Sequence, residues 1–276
     1  MTYTATVTDQ AKTALPRAEG ALEVSSKQTP RGSAIDRLYQ KGALKAVFPR
    51  SETFTSVLVN TSGGVTGGDR FRLSASAGPG SHLTLTTQAA ERAYRALPGA
   101  PGRIRNTLSA APGARLWWLP QETIFFDGAH LERRLRCDLA PDAEFLLIEP
   151  LILGRAAMGE RHVTGQISDR IEIHRSGKIA YLDAWSFAGD ITAHFNRRAI
   201  GSGATAMASL VYVGPRAESL LTPVRGHLGT GGGASLRDPN VLVARILAED
   251  GYHLRQRIVP LLDFLTEARL PTCWRL

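Results

Sequence analysis

The residues of this 276-residue sequence that could do chemistry are few, and most fail the test of spacing. Asn60-Thr-Ser-Gly-Gly-Val-Thr-Gly-Gly-Asp69 has the glycines of a phosphate cradle, yet it offers Asp69 and Arg70 where a P-loop needs Lys followed by Ser or Thr. A carboxylate there repels phosphate. Gly229-Thr-Gly-Gly-Gly-Ala234 matches a dinucleotide fingerprint in letters alone, because too little chain follows for the βαβ unit and its acidic ribose ligand. Nucleophile elbows of the form GxSxG are missing, as are HExxH and CxxC, so neither a serine hydrolase nor a zinc protease is suggested. The seven histidines stand singly at 82, 130, 162, 174, 194, 227 and 253, and Cys137 and Cys273 lie far apart. No closed metal site is visible, although ligands distant in sequence could still converge. The two cysteines read as buried thiols in a reducing compartment.

The elements that must position any site are mostly strands. From about Ala21 to about Val224 the chain produces short period-two runs bounded by Gly, Pro, Asp or Asn. Phe71–Ala75, His82–Thr86, Arg133–Leu139 and Ile167–His174 alternate apolar with polar residues, whereas Val57–Val59 and Ala143–Ile148 are continuous apolar runs, as in strands covered on both faces. Turns fall between them at Gly78–Gly80, Leu97–Gly102, Ala111–Gly113, Ala140–Asp142 and Arg175–Gly177. This density predicts a mainly β fold: a sandwich, a barrel or a large irregular β-solenoid. No residue period survives from one strand pair to the next. After a flexible Gly229–Gly233, Asp238 and Pro239 suit the start of a helix over Val241–Asp250, and a second helix is expected from about Tyr252, bent or ended near Pro260. The expected organisation is a polar leader over 1–20, then a single domain over 21–276 with a small C-terminal helical part at about 239–268. The stripe of Leu254, Ile258, Leu261, Leu262 and Leu265 is expected to pack on the β domain.

With 43% hydrophobic and 21% charged residues and no apolar run near the roughly 20 residues that span a bilayer, membrane insertion is not expected. The N-terminus lacks the pattern of a secretory signal, which points to the cytoplasm. The net charge of +8 is spread out. Clusters such as Leu131-Glu-Arg-Arg-Leu-Arg136 alternate with apolar residues at strand spacing, so their arginines are expected on one solvated face. Without a Lys/Arg run or an aromatic stacking motif, nucleic-acid binding is a minority reading.

Four stretches carry a more specific signal. They are the loop at 60–69, Thr86-Thr-Gln-Ala-Ala-Glu-Arg-Ala-Tyr-Arg95, Leu119-Pro-Gln-Glu-Thr-Ile-Phe-Phe-Asp-Gly128 and Gly154-Arg-Ala-Ala-Met-Gly-Glu160. In order and spacing they resemble the UreD (UreH) family of urease accessory proteins, and the resemblance extends from about Leu22 to Pro271-Thr-Cys-Trp-Arg275. It implies a non-enzymatic, solenoid-like β protein with a small helical part. It implies a cytoplasmic complex in which this chain holds UreF, and through it the GTPase UreG, against apo-urease. It also implies no tightly bound cofactor but transient passage of Ni²⁺ through a polar tunnel.

On that basis Asp69, Glu91, Glu122, Asp127, Glu149 and Glu160 are the candidate tunnel carboxylates, with Thr86, Thr87 and Gln88 as neutral ligands and transient Ni²⁺ contacts at Asp69 and Glu160. Each has a structural alternative. Asp69 could cap the glycine turn, Glu91 could pair with Arg92 or Arg95, and Glu149 or Glu160 could satisfy loop amides. Gly63, Gly64, Gly67 and Gly68 are expected to form a tight bend against which another segment or a partner packs. Two competing readings stay open: a β-fold enzyme using two of these carboxylates as acid and base, and a basic nucleic-acid-binding module.

Overall fold

Each alternating segment ends in a turn that carries the chain across into a facing layer, and the result is a stack of rungs shared between two β-sheets. The computed structural model describes residues 16–275. Strands β1 (Glu19–Thr29) and β2 (Gly32–Gly42) start the first sheet, and β3 (Leu44–Val47) and β4 (Thr55–Asn60) start the second. The chain then alternates. β5 (Arg70–Ala77) lies in the first sheet, β6 (His82–Thr87) and the short β7 (Glu91–Ala93) in the second. β8 (Gly102–Ala110) returns to the first, β9 (Arg115–Leu119) and β10 (Thr123–Phe125) to the second. β11 (Ala129–Leu139), β13 (Thr164–Arg175) and β14 (Lys178–Asp190) complete the first sheet, while β12 (Glu144–Leu153) continues the second. Helix α1 (Ile191–Asn196), β15 (Ala206–Val213), α2 (Ala217–Leu228), the hairpin β16 (Gly232–Asp238) and β17 (Val241–Ala248), and α3 (Gly251–Leu265) follow.

β1, β5, β8, β11 and β13 pair in parallel, as do β4, β6, β9 and β12, and antiparallel partners close the ends of both sheets. The fold is thus an irregular β-solenoid flattened into a sandwich. Arg70, Arg103, Glu132 and Ser168 occupy one level of successive rungs. Their unequal separations explain why no fixed period is readable in the sequence.

The inner faces of the two sheets meet in an apolar core: Leu22, Leu73, Leu108, Leu135 and Ile171 from the first against Leu85, Leu116, Leu147 and Val211 from the second. The other face of the second sheet, with Trp117, Leu119, Leu146, Ile148, Leu210 and Ile246, is covered by α2 and α3. Because alternate residues of these strands meet either the first sheet or the helices, both sets must be apolar, which is why Ala143–Ile148 reads as an unbroken run. Leu254, Ile258, Leu261, Leu262 and Leu265 of α3 are all buried there. At about 1.5–3 kcal/mol for each fully buried side chain, that stripe is a large part of what holds the helix down.

The C-terminal third differs from the expectation. Val241–Ala248 is a strand, not a helix. Val241 faces the inter-sheet core and Leu242, Ala244, Ile246 and Ala248 face the helices, so both faces are apolar and the period is lost. Asp238 does not cap a helix; its carboxylate accepts the Asn240 amide (2.7 Å) in the turn of the β16–β17 hairpin. The glycines at 229–233 form a short 3-10 turn and the first residues of β16. Helix α2 falls where the alternating pattern was expected to continue, and α3 runs through Pro260 to Leu265. Of the leader expected over 1–20, residues 1–15 lie outside the described residues, while Glu19 and Gly20 already belong to β1. Among the described residues no helix is long and apolar enough to cross a membrane.

Candidate functional site

The inward positions of three consecutive strands, β11 and β13 of the first sheet and β12 of the second, follow one pattern with one interruption. β11 presents Leu131, Arg133 and Leu135; β12 presents Leu147, Glu149 and Leu151; β13 presents Ile167, Asp169 and Ile171. A charged layer therefore separates two apolar halves of the interior. Arg133 Nη1 lies 2.8 Å from Glu149 Oε2, Arg133 Nη2 lies 2.5 Å from Asp169 Oδ2, and Nη1 also donates to Thr123 Oγ1 (2.9 Å). Trp118 Nε1 donates to Glu149 Oε1 (2.7 Å). Arg133, Glu149 and Asp169 are all less than a tenth exposed. Burial opposes the guanidinium charge, but the Asp169 and Glu149 carboxylates more than offset it and hold Arg133 protonated. Burial raises the pKa of Glu149 above the ordinary range against the opposing pull of Arg133 and Trp118.

Beside this layer lies a cavity of about 220 Å³, room for several waters. Trp118, Arg133 and Glu149 form its buried floor; Thr87, Glu91, Thr123 and Gln121 line its walls; Gly63, Gln88 and Arg92 stand at the exposed rim. Glu91 accepts from Asn60 Nδ2 at 3.1 and 3.3 Å, and burial raises its pKa against the lowering effect of that amide. Thr87 Oγ1 accepts the Gln121 amide (2.9 Å), tying two rungs together at the wall. Arg133 Nε and Gln121 Nε2 find no acceptor among the described residues, and both residues line the cavity. Donors so buried need an acceptor, and a hydrated interior supplies one. The polar side chains of the lining carry oxygen and nitrogen but neither imidazole nor thiol.

Of the nine expected site residues, the cavity gathers Thr87, Gln88, Glu91 and Glu149. The others are placed elsewhere. Asp69 is buried under the glycine loop, where its oxygens accept the amides of Ala18 and Thr66, each at 2.8 Å, so it caps the turn. Glu122 is paired with Arg255 (2.9 Å), which also reaches Gln121 and the Trp274 carbonyl. Asp127 accepts from Thr164 and pairs with Arg95. Glu160 accepts two hydrogen bonds from a single guanidinium, from Nε and Nη2 of Arg155 at 3.0 Å each, and that contact lowers its pKa. Thr86 is fully buried, 3.6 Å from Cys273 Sγ. Among the described residues no three His, Cys, Asp or Glu side chains converge as a metal cage.

The glycine loop is tight for the expected reason. Gly63 and Gly68 take positive φ (79° and 89°), and a Cβ at Gly64 would fall 2.3 Å from Tyr94 Cε2 and 2.6 Å from the Arg92 carbonyl. The segment that packs against the bare backbone is 92–101 of this same chain. Glu91 does not form the surface pair with Arg92 or Arg95 considered for it: its oxygens accept from Asn60 Nδ2 and from the Arg92 backbone amide, and Arg95 is taken by Asp127. Arg133 does not join the solvated face assigned to its cluster; only Arg134 and Arg136 point outward. Arg133, Asp169, Asn60, Gln121 and Trp118 were not anticipated. The signal for the first two was present: a charge at the middle inward position of Leu131-x-Arg133-x-Leu135 and of Ile167-x-Asp169-x-Ile171.

The model of the UreD urease accessory protein family matches residues 18–275. A urease accessory protein UreD of Roseobacter denitrificans is 51% identical over 99% of this chain and 98% of its own length. One from Ruegeria pomeroyi is 48% identical over 92% and 99%, and one from Agrobacterium fabrum 39% identical over 94% and 92%. With the motifs at 60–69, 86–95, 119–128 and 154–160 all inside the matched region, the chain belongs to the UreD family of urease accessory proteins.

Proposed function

We propose that this chain is a cytoplasmic, non-catalytic scaffold that joins UreF, and UreG through UreF, to apo-urease, and that its inter-sheet cavity is part of the route by which Ni²⁺ reaches the urease. The observation that carries the reading is the inter-sheet cavity, walled largely by apolar side chains such as Leu58, Phe71 and Ile104, into which Glu91 at the wall and Glu149 at the floor bring carboxylates with no imidazole or thiol beside them. Imidazole and thiolate hold Ni²⁺ tightly, and at a fixed association rate each additional 1.4 kcal/mol of affinity slows release about tenfold. Carboxylate, amide and hydroxyl oxygens let a cation enter without trapping it, the logic of ion channels. Arg133 at the floor adds to this, because its fixed positive charge opposes long residence of a divalent ion at Glu149.

A general acid–base pair is the weaker reading of the same pocket, since Glu149 is committed to Arg133 and Trp118 and cannot act as a free base. The test is Glu91→Gln, together with Gln88→Leu at the rim, in a co-expressed urease system. Urease activation is expected to fall several-fold while UreF and apo-urease still co-purify with the chain. Full activation by the double variant would remove the cavity from the route. Asp69→Ala and Glu160→Ala serve as comparison, with losses expected to follow loop stability rather than nickel supply.

A further inference from the structure

The outer face of the first sheet carries an arrangement that the fold does not need. In the parallel register of β5, β8, β11 and β13, Arg72 stands beside Arg105, Arg105 beside Arg134, and Arg134 beside Arg170. Four arginines thus form one row across four adjacent strands, a span of about 14 Å at ordinary strand spacing. Beyond Arg72 the row continues through Ala21 to Lys41 of β2. Arg72, Arg105 and Arg134 are exposed, and Arg170 is half-buried.

Like charges on directly adjacent strands destabilise a sheet. Compensation within the chain is partial: Glu132 is the shared partner of Arg105 (4.0 Å) and Arg134 (2.9 Å) as well as of Arg103 in the neighbouring row (3.3 Å), and Arg170 has Glu172 (2.7 Å). Arg72 has no ion-pair partner among the described residues. The row is flat because parallel strands hold it at one level, so its guanidinium groups present a linear array of forked donors matched to carboxylates.

We propose that this arginine row is a docking surface for an acidic face of a protein partner in the assembly, and the proposal rests on the scaffold reading given above. Charge complementarity selects the class of partner. The carboxylates of Glu132 and Glu172 set among the arginines would repel a phosphate backbone, whereas they suit a protein face that carries both signs with an acidic excess. A flat sheet face without stacking aromatics in the row also lacks the platform that single-stranded nucleic acid uses.

The test compares the full-length wild-type chain with Arg105→Glu/Arg134→Glu, each co-expressed with UreF, UreG and apo-urease of the same source, and measures retention of each protein at 50 and 300 mM NaCl. Equal thermal midpoints of the two chains separate lost docking from lost folding, and Arg105→Gln/Arg134→Gln, which sets no new carboxylate beside Glu132, replaces the Glu variant where its midpoint falls. The expected result is a loss of about tenfold or more in retention of one protein partner at low salt, with wild-type retention of that partner itself falling at high salt. Equal retention of every partner by wild type and variant overturns the proposal and leaves the scaffold reading standing; failure of the wild type to retain any partner overturns both. A 20-nucleotide RNA probe provides the remaining arm: RNA binding that the substitutions abolish, with protein retention unchanged, overturns the proposal in favour of nucleic acid.

Discussion

The two broad outer faces of the sandwich are finished by opposite rules. That of the second sheet is apolar and lies beneath α2, α3 and Trp274. That of the first sheet exposes a row of arginines to solvent. Both sheets use the same strand geometry and share one interior, so the difference lies in the alternate residues alone. It teaches that the alternate residues of a strand are apolar where helices cover the sheet and charged where none does, so that a part of the chain's basic residues stands in register on the open face.

The sharpest way to break the comparison is along β11, where adjacent residues face opposite ways. Arg133→Met leaves Glu149 and Asp169 buried without their cation and is expected to cost about 3–5 kcal/mol, read by chemical denaturation. Arg134→Met, one residue on, should change stability by no more than about 0.5 kcal/mol. On the covered face, Leu262→Ala should cost about 2–5 kcal/mol because the helix leaves a cavity when its side chain is cut back; a loss as small as that at Arg134 would mean that α3 is not held by its stripe. Gly64→Ala forces Tyr94 and the Arg92 carbonyl apart and should cost about 1–3 kcal/mol, with reduced soluble yield.

The smallest effect belongs to the cavity wall. Glu91 has a raised pKa in the folded protein, so the stability it contributes is present below its ordinary value of 4.5 and is lost as pH rises through the folded value. Glu91→Gln keeps an acceptor for Asn60 but cannot ionise. It should therefore be more stable than wild type at pH 7 and indistinguishable from it at pH 4, as measured by thermal midpoints; a wild type that is the more stable of the two at pH 7 would contradict the burial argument.

Much of this was legible in the sequence, and the failures share a cause. Strands with one wet face, such as Phe71–Ala75 and Ile167–His174, announced themselves because period two survives when the outer residues are polar. Val241–Ala248 was mistaken for helix because coverage on both faces erases that period. The capping role of Asp69 and the tightness of the glycine loop are local and were readable. The Arg133, Glu149 and Asp169 layer was not assembled from sequence, since its members lie on three strands whose register is set by turns of unequal length. A charge at a position reserved for leucine was the available clue.

Trp274 Nε1 donates to the Leu119 carbonyl, a partner 155 residues earlier, and the Trp274 carbonyl in turn receives Arg255, which grips Gln121 and Glu122. The wall of the cavity contributed by the 119–122 segment therefore stays unlatched until the ribosome has added that tryptophan. The interval before those late contacts can form is the one in which a chaperone or a binding partner translated alongside has most to offer.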